Sequence, residues 1–130
     1  MQTPASAVLI VEDDEPTRAL LAAIVTRNGL RPVEAVDGHS ALAILSGGGI
    51  FDAVLLDLLL PGLSGVAILA HLSAHTPDVL QRVVIVTAAL EPHWLARIEV
   101  KRAHAVIRKP FDIDELEREM LACCKKERPR

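Results

Sequence analysis

The chain has 130 residues, which is the length of one ordinary domain with a sizeable core. Hydrophobic residues make up 51% of it, but Asp57 interrupts the longest apolar run, so no segment approaches the ~20 residues that a membrane-spanning helix needs. The formal net charge of −3 argues against nucleic-acid binding as the main function, because contacts to phosphates normally require a basic patch.

The two ends of the chain carry no targeting or disulfide signal. The start, MQTPASA, lacks the basic residues and long apolar core of a secretory signal. Cys123 and Cys124 are adjacent, so they cannot close a useful disulfide loop and are expected to be reduced. These features predict a cytoplasmic protein with one domain over residues 1–124 and a basic tail over 125–130. A tether to a downstream domain is a second interpretation of that tail.

The beginning of the chain predicts a strand followed by a helix. The apolar run at 8–11 leads into an acidic stretch, and the first helix is expected to open near Asp14 or Glu15 with Pro16 in its first turn. Asn28 and Gly29 should end this helix, because both residues favour the backbone conformation found after a helix.

Four further apolar runs predict strands, each separated from the next by a segment with helical spacing. The runs occupy residues 33–36, 53–57, 83–87 and 105–107. The second helix is expected after Asp37, ending at the glycine run 47–49.

The remaining helices are expected in the second half of the chain. The third should run from Ser64 to about His75, and the fourth should follow Glu91 and Pro92 as one helix. The last helix has the clearest signal, because Asp112 is a good N-cap for a segment whose apolar residues repeat at helical spacing.

Strands that alternate with helices favour a parallel sheet covered on both faces, since parallel strands need crossover connections. We predict an α/β fold, a doubly wound five-stranded sheet of flavodoxin-like order 2-1-3-4-5 with five helices on two faces. In such a sheet, ligands bind beyond the carboxyl ends of the strands, near the point where the strand order reverses.

Polar residues at the predicted strand ends should meet at that edge. They are Glu12 and Asp13 after the first strand, Asp57 at the end of the third, Thr87 at the end of the fourth and Lys109 after the fifth. A carboxylate within VLLDLLLPG would be costly to bury without a partner. Several carboxylates around a water-filled crevice suit Mg²⁺, which prefers oxygen ligands.

The same residues could carry out phosphoryl transfer. A cation would offset the charge on the phosphoryl oxygens, and Asp57 would be the nucleophile. Lys109 would offer a positive charge and Thr87 a hydroxyl donor to the phosphoryl group. Any two adjacent residues of the acidic run 12–14 could serve, but Glu12 and Asp13 directly follow the strand, while Asp14 suits the start of the helix.

Four segments of the sequence resemble the CheY-like receiver domains of bacterial response regulators, which act in two-component signalling. The segments are VLIVEDDE, DAVLLDLLLPGLSG, VVIVTAAL and AVIRKPFDIDEL, and they span nearly the whole chain. The resemblance implies that Asp57 is the phosphoacceptor, that Glu12 and Asp13 lie on the metal side, and that the backbone carbonyl of Leu59 completes the protein ligands of Mg²⁺ or Mn²⁺.

The resemblance also implies roles at the ends of the last two strands and a set of partners. Thr87 becomes the switch hydroxyl, Lys109 the phosphoryl-binding lysine, and the Lys109–Pro110 bond is expected to be cis. A sensor histidine kinase or a histidine phosphotransfer protein would donate the phosphoryl group. The modified domain would then bind an output target or act on a downstream domain, and a homodimer through the fourth helix and fifth strand is a further expectation. The module would be a switch that assists its own phosphorylation, without direct contact to nucleic acid or membrane.

The sequence departs from the family pattern at four places. Val106 stands where the family usually has an aromatic or histidine switch residue, and the segment 101–104 is unusually basic. Leu59 and Ala89 are apolar where polar side chains in some receivers position water, so slow self-dephosphorylation is expected.

Several alternatives remain open from sequence. Val106 is consistent with a pseudo-receiver, a scaffold that acts without phosphorylation. The chain could also be the receiver fragment of a transcriptional regulator or hybrid kinase. A phosphohydrolase is disfavoured because Leu59 occupies the position where a second acid would be needed. His71 and His75 have the spacing of a metal-binding pair, but no third ligand is evident and a solvated surface is favoured. Trp94 is expected to pack against the sheet rather than to form a docking surface.

Overall fold

The computed structural model describes residues 6–126, which form five parallel strands and the helices that cover them. The strands are β1 (Ala7–Val11), β2 (Arg31–Ala35), β3 (Ala53–Leu56), β4 (Val83–Thr87) and β5 (Ala105–Arg108). The helices are α1 (Glu15–Arg27), α2 (Gly38–Ser46), α3 (Gly65–His75), α4 (Pro92–Leu95), α5 (Ile98–Arg102) and α6 (Ile113–Cys124). A 3₁₀ segment, Pro77–Arg82, precedes β4.

The strands are hydrogen-bonded in the order β2-β1-β3-β4-β5, and every neighbouring pair is parallel. The predicted doubly wound sheet and its strand order are therefore confirmed. The order reverses between β1 and β3, so the carboxyl ends of these two strands border the crevice where such sheets bind ligands.

Two hydrophobic clusters hold the layers together, one on each face of the sheet. Successive side chains of a strand point to opposite faces, so Leu9 belongs to one cluster and Ile10 to the other. The first cluster includes Leu69 of α3, and the second includes Leu116 of α6. All four of these side chains are fully buried, which places the core on both sides of the central strands.

Four helices begin at the residues that the sequence predicts. In each case the side chain of the N-cap residue accepts a hydrogen bond from a backbone N–H of the first turn, and such a cap contributes about 1 kcal/mol. The caps are Asp14 for α1, Asp37 for α2, Ser64 for α3 and Asp112 for α6.

The fourth predicted helix is wrong as a single element. The structure has two short helices, α4 and α5, because Arg97 adopts extended backbone between them. The break lets Trp94 pack against the core and buries Val100, whereas Leu95 and Ile98 remain exposed. The expectation that Trp94 packs is therefore confirmed, and the five predicted helices become six plus the 3₁₀ segment.

Three smaller features complete the comparison. β2 begins at Arg31 and includes Pro32, which an edge strand tolerates because one side of its backbone is unpaired. The Lys109–Pro110 peptide bond is cis, as expected. Within residues 6–126, no helix is long and apolar enough to cross a membrane.

Candidate functional site

The strand ends bring the predicted polar residues to one edge of the sheet. Glu12 and Asp13 follow β1, Asp57 follows β3, Thr87 ends β4 and Lys109 follows β5. Because the four strands are parallel neighbours, their carboxyl ends meet at this edge. Hydrogen bonds connect Glu12, Asp57, Thr87 and Lys109, and Asp13 lies beside them.

Asp57 lies at the centre of the cluster and is buried, with 6% of its surface exposed. Its Oδ1 accepts hydrogen bonds from the Thr87 hydroxyl at 2.8 Å and from the backbone N–H of Leu59 at 3.0 Å. Its Oδ2 accepts a bond from Lys109 Nζ at 2.7 Å. The carboxylate is thus fixed by a cation, a hydroxyl and an amide, which explains how a charged group is stable after a buried strand.

Lys109 also connects Asp57 to Glu12. Its Nζ donates to Glu12 Oε1 at 2.5 Å, and Glu12 Oε2 accepts the backbone N–H of Asp14 at 3.1 Å. Burial raises the pKa of Glu12 above its ordinary value, although the bond from Lys109 opposes this effect.

The charge of Lys109 is secured by its two acidic partners. Burial by itself lowers the pKa of Lys109, but the hydrogen bonds to Asp57 and Glu12 outweigh it, so that the pKa is raised. An ammonium group is therefore present in the cluster at neutral pH.

Asp13 completes an acidic group that could hold a divalent cation. One carboxylate oxygen each from Glu12, Asp13 and Asp57 can be chosen so that all three lie within 4.8 Å of one another. Oxygens that share one Mg²⁺ at about 2.1 Å lie about 3–4 Å apart, so the spacing fits that ion after small side-chain movements. Asp13 is exposed while the other two carboxylates are buried, which leaves the open side for water.

Leu59 lies two residues beyond Asp57, and its backbone N–H binds the Asp57 carboxylate. Its side chain is 53% exposed, so no polar side chain stands at this position to orient water. The role of the Leu59 carbonyl as a metal ligand stays a prediction.

Two residues that the sequence analysis did not single out support the site. Arg18 of α1 donates from Nη1 to the carbonyl oxygens of Glu12 at 3.0 Å and Asp13 at 3.4 Å, which holds the acidic loop against the helix. Gly65 lies so close to Asp57 that an added Cβ would be 2.2 Å from its carbonyl oxygen. No local pattern marks either role, because both depend on contacts between distant elements.

The Thr87 hydroxyl has a second contact, from the backbone N–H of Ala89 at 3.1 Å. It therefore links Asp57 to the loop after β4. On the neighbouring strand, Val106 is 38% exposed and lies opposite Ile85. A valine at this place is too short and stiff to move between an outward and an inward position as a larger side chain could.

This fold and this edge define a class of protein, namely a doubly wound α/β module with a lysine-bridged acidic cluster at the strand-order reversal. Comparisons with known proteins identify the family. Residues 8–121 match the response regulator receiver domain. Sporulation initiation phosphotransferase F of Bacillus subtilis is 34% identical over 109 residues, which cover 84% of this chain and 86% of that protein.

Further relatives agree with this result. The phosphate regulon transcriptional regulatory protein PhoB of Escherichia coli is 37% identical over 84% of this chain, but the match covers only 47% of PhoB. The response regulator TrrA of Thermotoga maritima, solved in complex with Mg²⁺ and BeF, is 25% identical with a TM-score of 0.78, covering 91% of this chain and 98% of that one.

The chain belongs to the response regulator receiver domain family. It is therefore a receiver of two-component signal transduction, as the motifs indicate. The chain spans about half the length of PhoB, so the activities of that whole protein do not transfer with the match.

Proposed function

We propose that the domain accepts a phosphoryl group on Asp57 from a phosphohistidine of a sensor histidine kinase or a histidine phosphotransfer protein. The observation that supports this most directly is the placement of Asp57 between a lysine ammonium, a threonine hydroxyl and two further carboxylates. This arrangement leaves a nucleophilic oxygen beside the groups that can neutralise phosphoryl oxygens.

In the transfer step, an Asp57 carboxylate oxygen forms a bond to phosphorus while the bond between phosphorus and the donor histidine nitrogen breaks. The electron pair of the broken bond stays on that nitrogen. Lys109, already 2.7 Å from Asp57, would shift its ammonium to a phosphoryl oxygen. Mg²⁺, or Mn²⁺ in its place, would offset the charge of the carboxylates and the phosphoryl group when bound by Glu12, Asp13, Asp57 and the Leu59 carbonyl.

Thr87 provides the means to change conformation. Its hydroxyl donates to Asp57 before phosphorylation, and it would donate to a phosphoryl oxygen afterwards, carrying the backbone of Ala89 with it. The phosphorylated form then favours a loop position that the unmodified form populates less, which is a population shift. Val106 would change packing only slightly in this step, so the movement is centred on the loop after β4.

The surface of α4, α5 and β5 is the proposed binding site for the output target, and a homodimer would use the same surface. Ile98 is 56% exposed and Val106 38%, so apolar area is available there. Lys101, Arg102 and Arg108 are exposed around it. Sedimentation of the beryllofluoride-treated protein tests the dimer, and an Ile98→Asp variant should abolish any mass increase that treatment causes.

Other parts of the proposal concern the protein around this domain. We place the receiver at residues 1–124 in the cytoplasm, with a protein target or a downstream domain as its output and neither nucleic acid nor membrane as a direct partner. Lys126 contacts the carbonyl oxygen of Gln81 at 2.6 Å, while residues 127–130 of the basic tail lie outside the described residues. The domain would act as a self-assisting switch with slow phosphoryl loss, because Leu59 and Ala89 carry no polar group to orient water.

The experiment uses beryllofluoride with Mg²⁺ as a phosphoryl mimic and amide NMR as the readout. Shifts are expected around Asp57, Thr87 and Lys109, and mass spectrometry after treatment with an acyl phosphate should place one phosphoryl group on Asp57. Asp57→Asn should lose both responses, while the exposed Asp78→Asn keeps them. A protein that binds Mg²⁺ but gives neither response would contradict the proposal.

A pseudo-receiver scaffold is the second candidate, and the exposed Val106 on β5 is the observation that favours it. A scaffold would not respond to the mimic. Its wild-type form and its Asp57→Asn variant would bind the target with the same affinity. The same NMR series therefore separates the two functions.

A further inference from the structure

We propose that His71 and His75 of α3 form a two-histidine binding site for a late first-row divalent ion such as Ni²⁺ or Zn²⁺. The site is separate from the acidic cluster around Asp57. α3 begins at Gly65 beside Asp57 and ends at His75, and 11 residues of helix span about 16 Å. The histidines thus lie toward the opposite edge of the sheet from the phosphoacceptor.

The two imidazole rings are already paired. They are four positions apart on one helix, which places both on the same face, and their ring centroids are 4.4 Å apart. Metal–nitrogen bonds of about 2.0–2.1 Å put an imidazole centroid about 3.2 Å from the ion. Two imidazoles whose bonds to the ion make an angle of about 90° therefore have centroids about 4.5 Å apart. The observed centroid separation is close to this value, and the ring planes are tilted by 41°, so side-chain rotation would bring one nitrogen of each ring to a shared ion.

The surroundings leave the pair open to an ion from solvent. His75 is exposed and His71 is half-buried on the helix surface. His75 is also the last residue of α3, where the partial negative charge of the helix dipole favours a cation. His75, but not His71, lines a neighbouring groove of about 580 Å³ together with Leu72 and Asp78.

The chemistry of the ligands separates this site from the acidic cluster. Neutral imidazole suits Zn²⁺, Ni²⁺ and Cu²⁺, whereas Mg²⁺ prefers carboxylate, carbonyl and water oxygens. A large excess of Mg²⁺ should therefore occupy the carboxylates of Glu12, Asp13 and Asp57 and leave the histidine pair free. With two protein ligands, the site should bind more weakly than a closed four-ligand zinc site.

The test is calorimetric titration of the full chain with Ni²⁺ in excess Mg²⁺ at mildly alkaline pH, with amide NMR to locate the ion. One saturable event is expected, and the paramagnetic ion should broaden the amide signals of the C-terminal half of α3. His71→Ala and His75→Ala should each weaken binding by about tenfold or more, because the second nitrogen binds intramolecularly once the first is bound. His93→Ala, which removes an exposed histidine outside the pair, should leave binding unchanged.

Three outcomes would overturn the proposal. They are no saturable binding up to about 1 mM, binding that survives the loss of both histidines, or single variants that keep the wild-type affinity at half the heat. The last result would mean that two surface histidines bind the ion independently.

A second variant covers the case in which His71→Ala does not fold. His71→Gln keeps a similar side-chain volume without an imidazole. The beryllofluoride response should persist in His71→Ala/His75→Ala, so failure of this inference would be distinguishable from failure of phosphorylation.

Discussion

Replacing Asp13 with asparagine should stabilise the protein when no divalent cation is present. The chosen oxygens of Glu12, Asp13 and Asp57 lie within 4.8 Å of one another, and the Lys109 ammonium hydrogen-bonds to Glu12 and Asp57. Three carboxylates therefore share one ammonium group, and neutralising the exposed one removes repulsion without breaking a bond to Lys109.

The expected size follows from Coulomb's law. Two like charges at this separation repel by about 1 kcal/mol in a water-like medium, and Asp13 is exposed. Asp13 has two such neighbours, and screening by salt weakens both repulsions, so Asp13→Asn should raise the free energy of unfolding by about 1 kcal/mol in EDTA. Mg²⁺ at ten times its Kd should stabilise the wild type by about 1.4 kcal/mol and the variant much less.

The assay is urea unfolding followed by circular dichroism and by the fluorescence of Trp94, in EDTA and in Mg²⁺. Asp78→Asn is the matched control, because it removes an exposed carboxylate outside the cluster and should leave the response to Mg²⁺ intact. A destabilised Asp13→Asn protein in EDTA, or one that keeps the full wild-type response to Mg²⁺, would show that the carboxylates do not act together as described.

Three further predictions concern the hydroxyl, the thiols and the core. Thr87→Val keeps the shape of a fully buried side chain but removes the hydrogen bond to Asp57, so urea unfolding should show a loss of about 1–2 kcal/mol; an unchanged midpoint would contradict the bond. Burial raises the pKa of Cys123 to about 12, so at pH 8 its reactive thiolate is scarce, and iodoacetamide followed by peptide mass spectrometry should modify Cys124 first; equal labelling would refute this. Leu116→Ala should cost about 2–5 kcal/mol in the same unfolding assay, because this side chain is fully buried, and a loss under 1 kcal/mol would mean that the α6 face is not closely packed.

The fold could be predicted from sequence because its determinants are local. Apolar runs marked the strands, and polar caps such as Asp14 and Asp37 marked helix starts that the structure confirms. The alternation of strands and helices then left few topologies, since parallel crossovers are almost always right-handed. The prediction of a single fourth helix was wrong because the helical spacing of the sequence continues across Arg97. The extended backbone of Arg97 accompanies the packing of Trp94 and Val100 against the core, which local spacing does not show.

The order of acidic and basic residues at the strand ends also came from sequence alone. Parallel strands carry their carboxyl ends to one edge whatever the details of packing, so Asp57, Thr87 and Lys109 could be placed together before any distance was known. The distances themselves depend on side-chain directions, and only the structure decided that Lys109 bonds to both Glu12 and Asp57.

Contacts between distant segments belong to the tertiary structure. Arg82 is buried and donates to the carbonyl oxygens of Asp52, Cys123 and Lys126 at 3.2–3.4 Å, joining the 3₁₀ segment before β4 to the end of α6. Nothing in the residues beside Arg82 indicates this role, because its partners come from other parts of the chain. Local periodicity determined which elements form and in what order, whereas the burial of single charged groups was decided by which backbone oxygens the folded chain brings within reach.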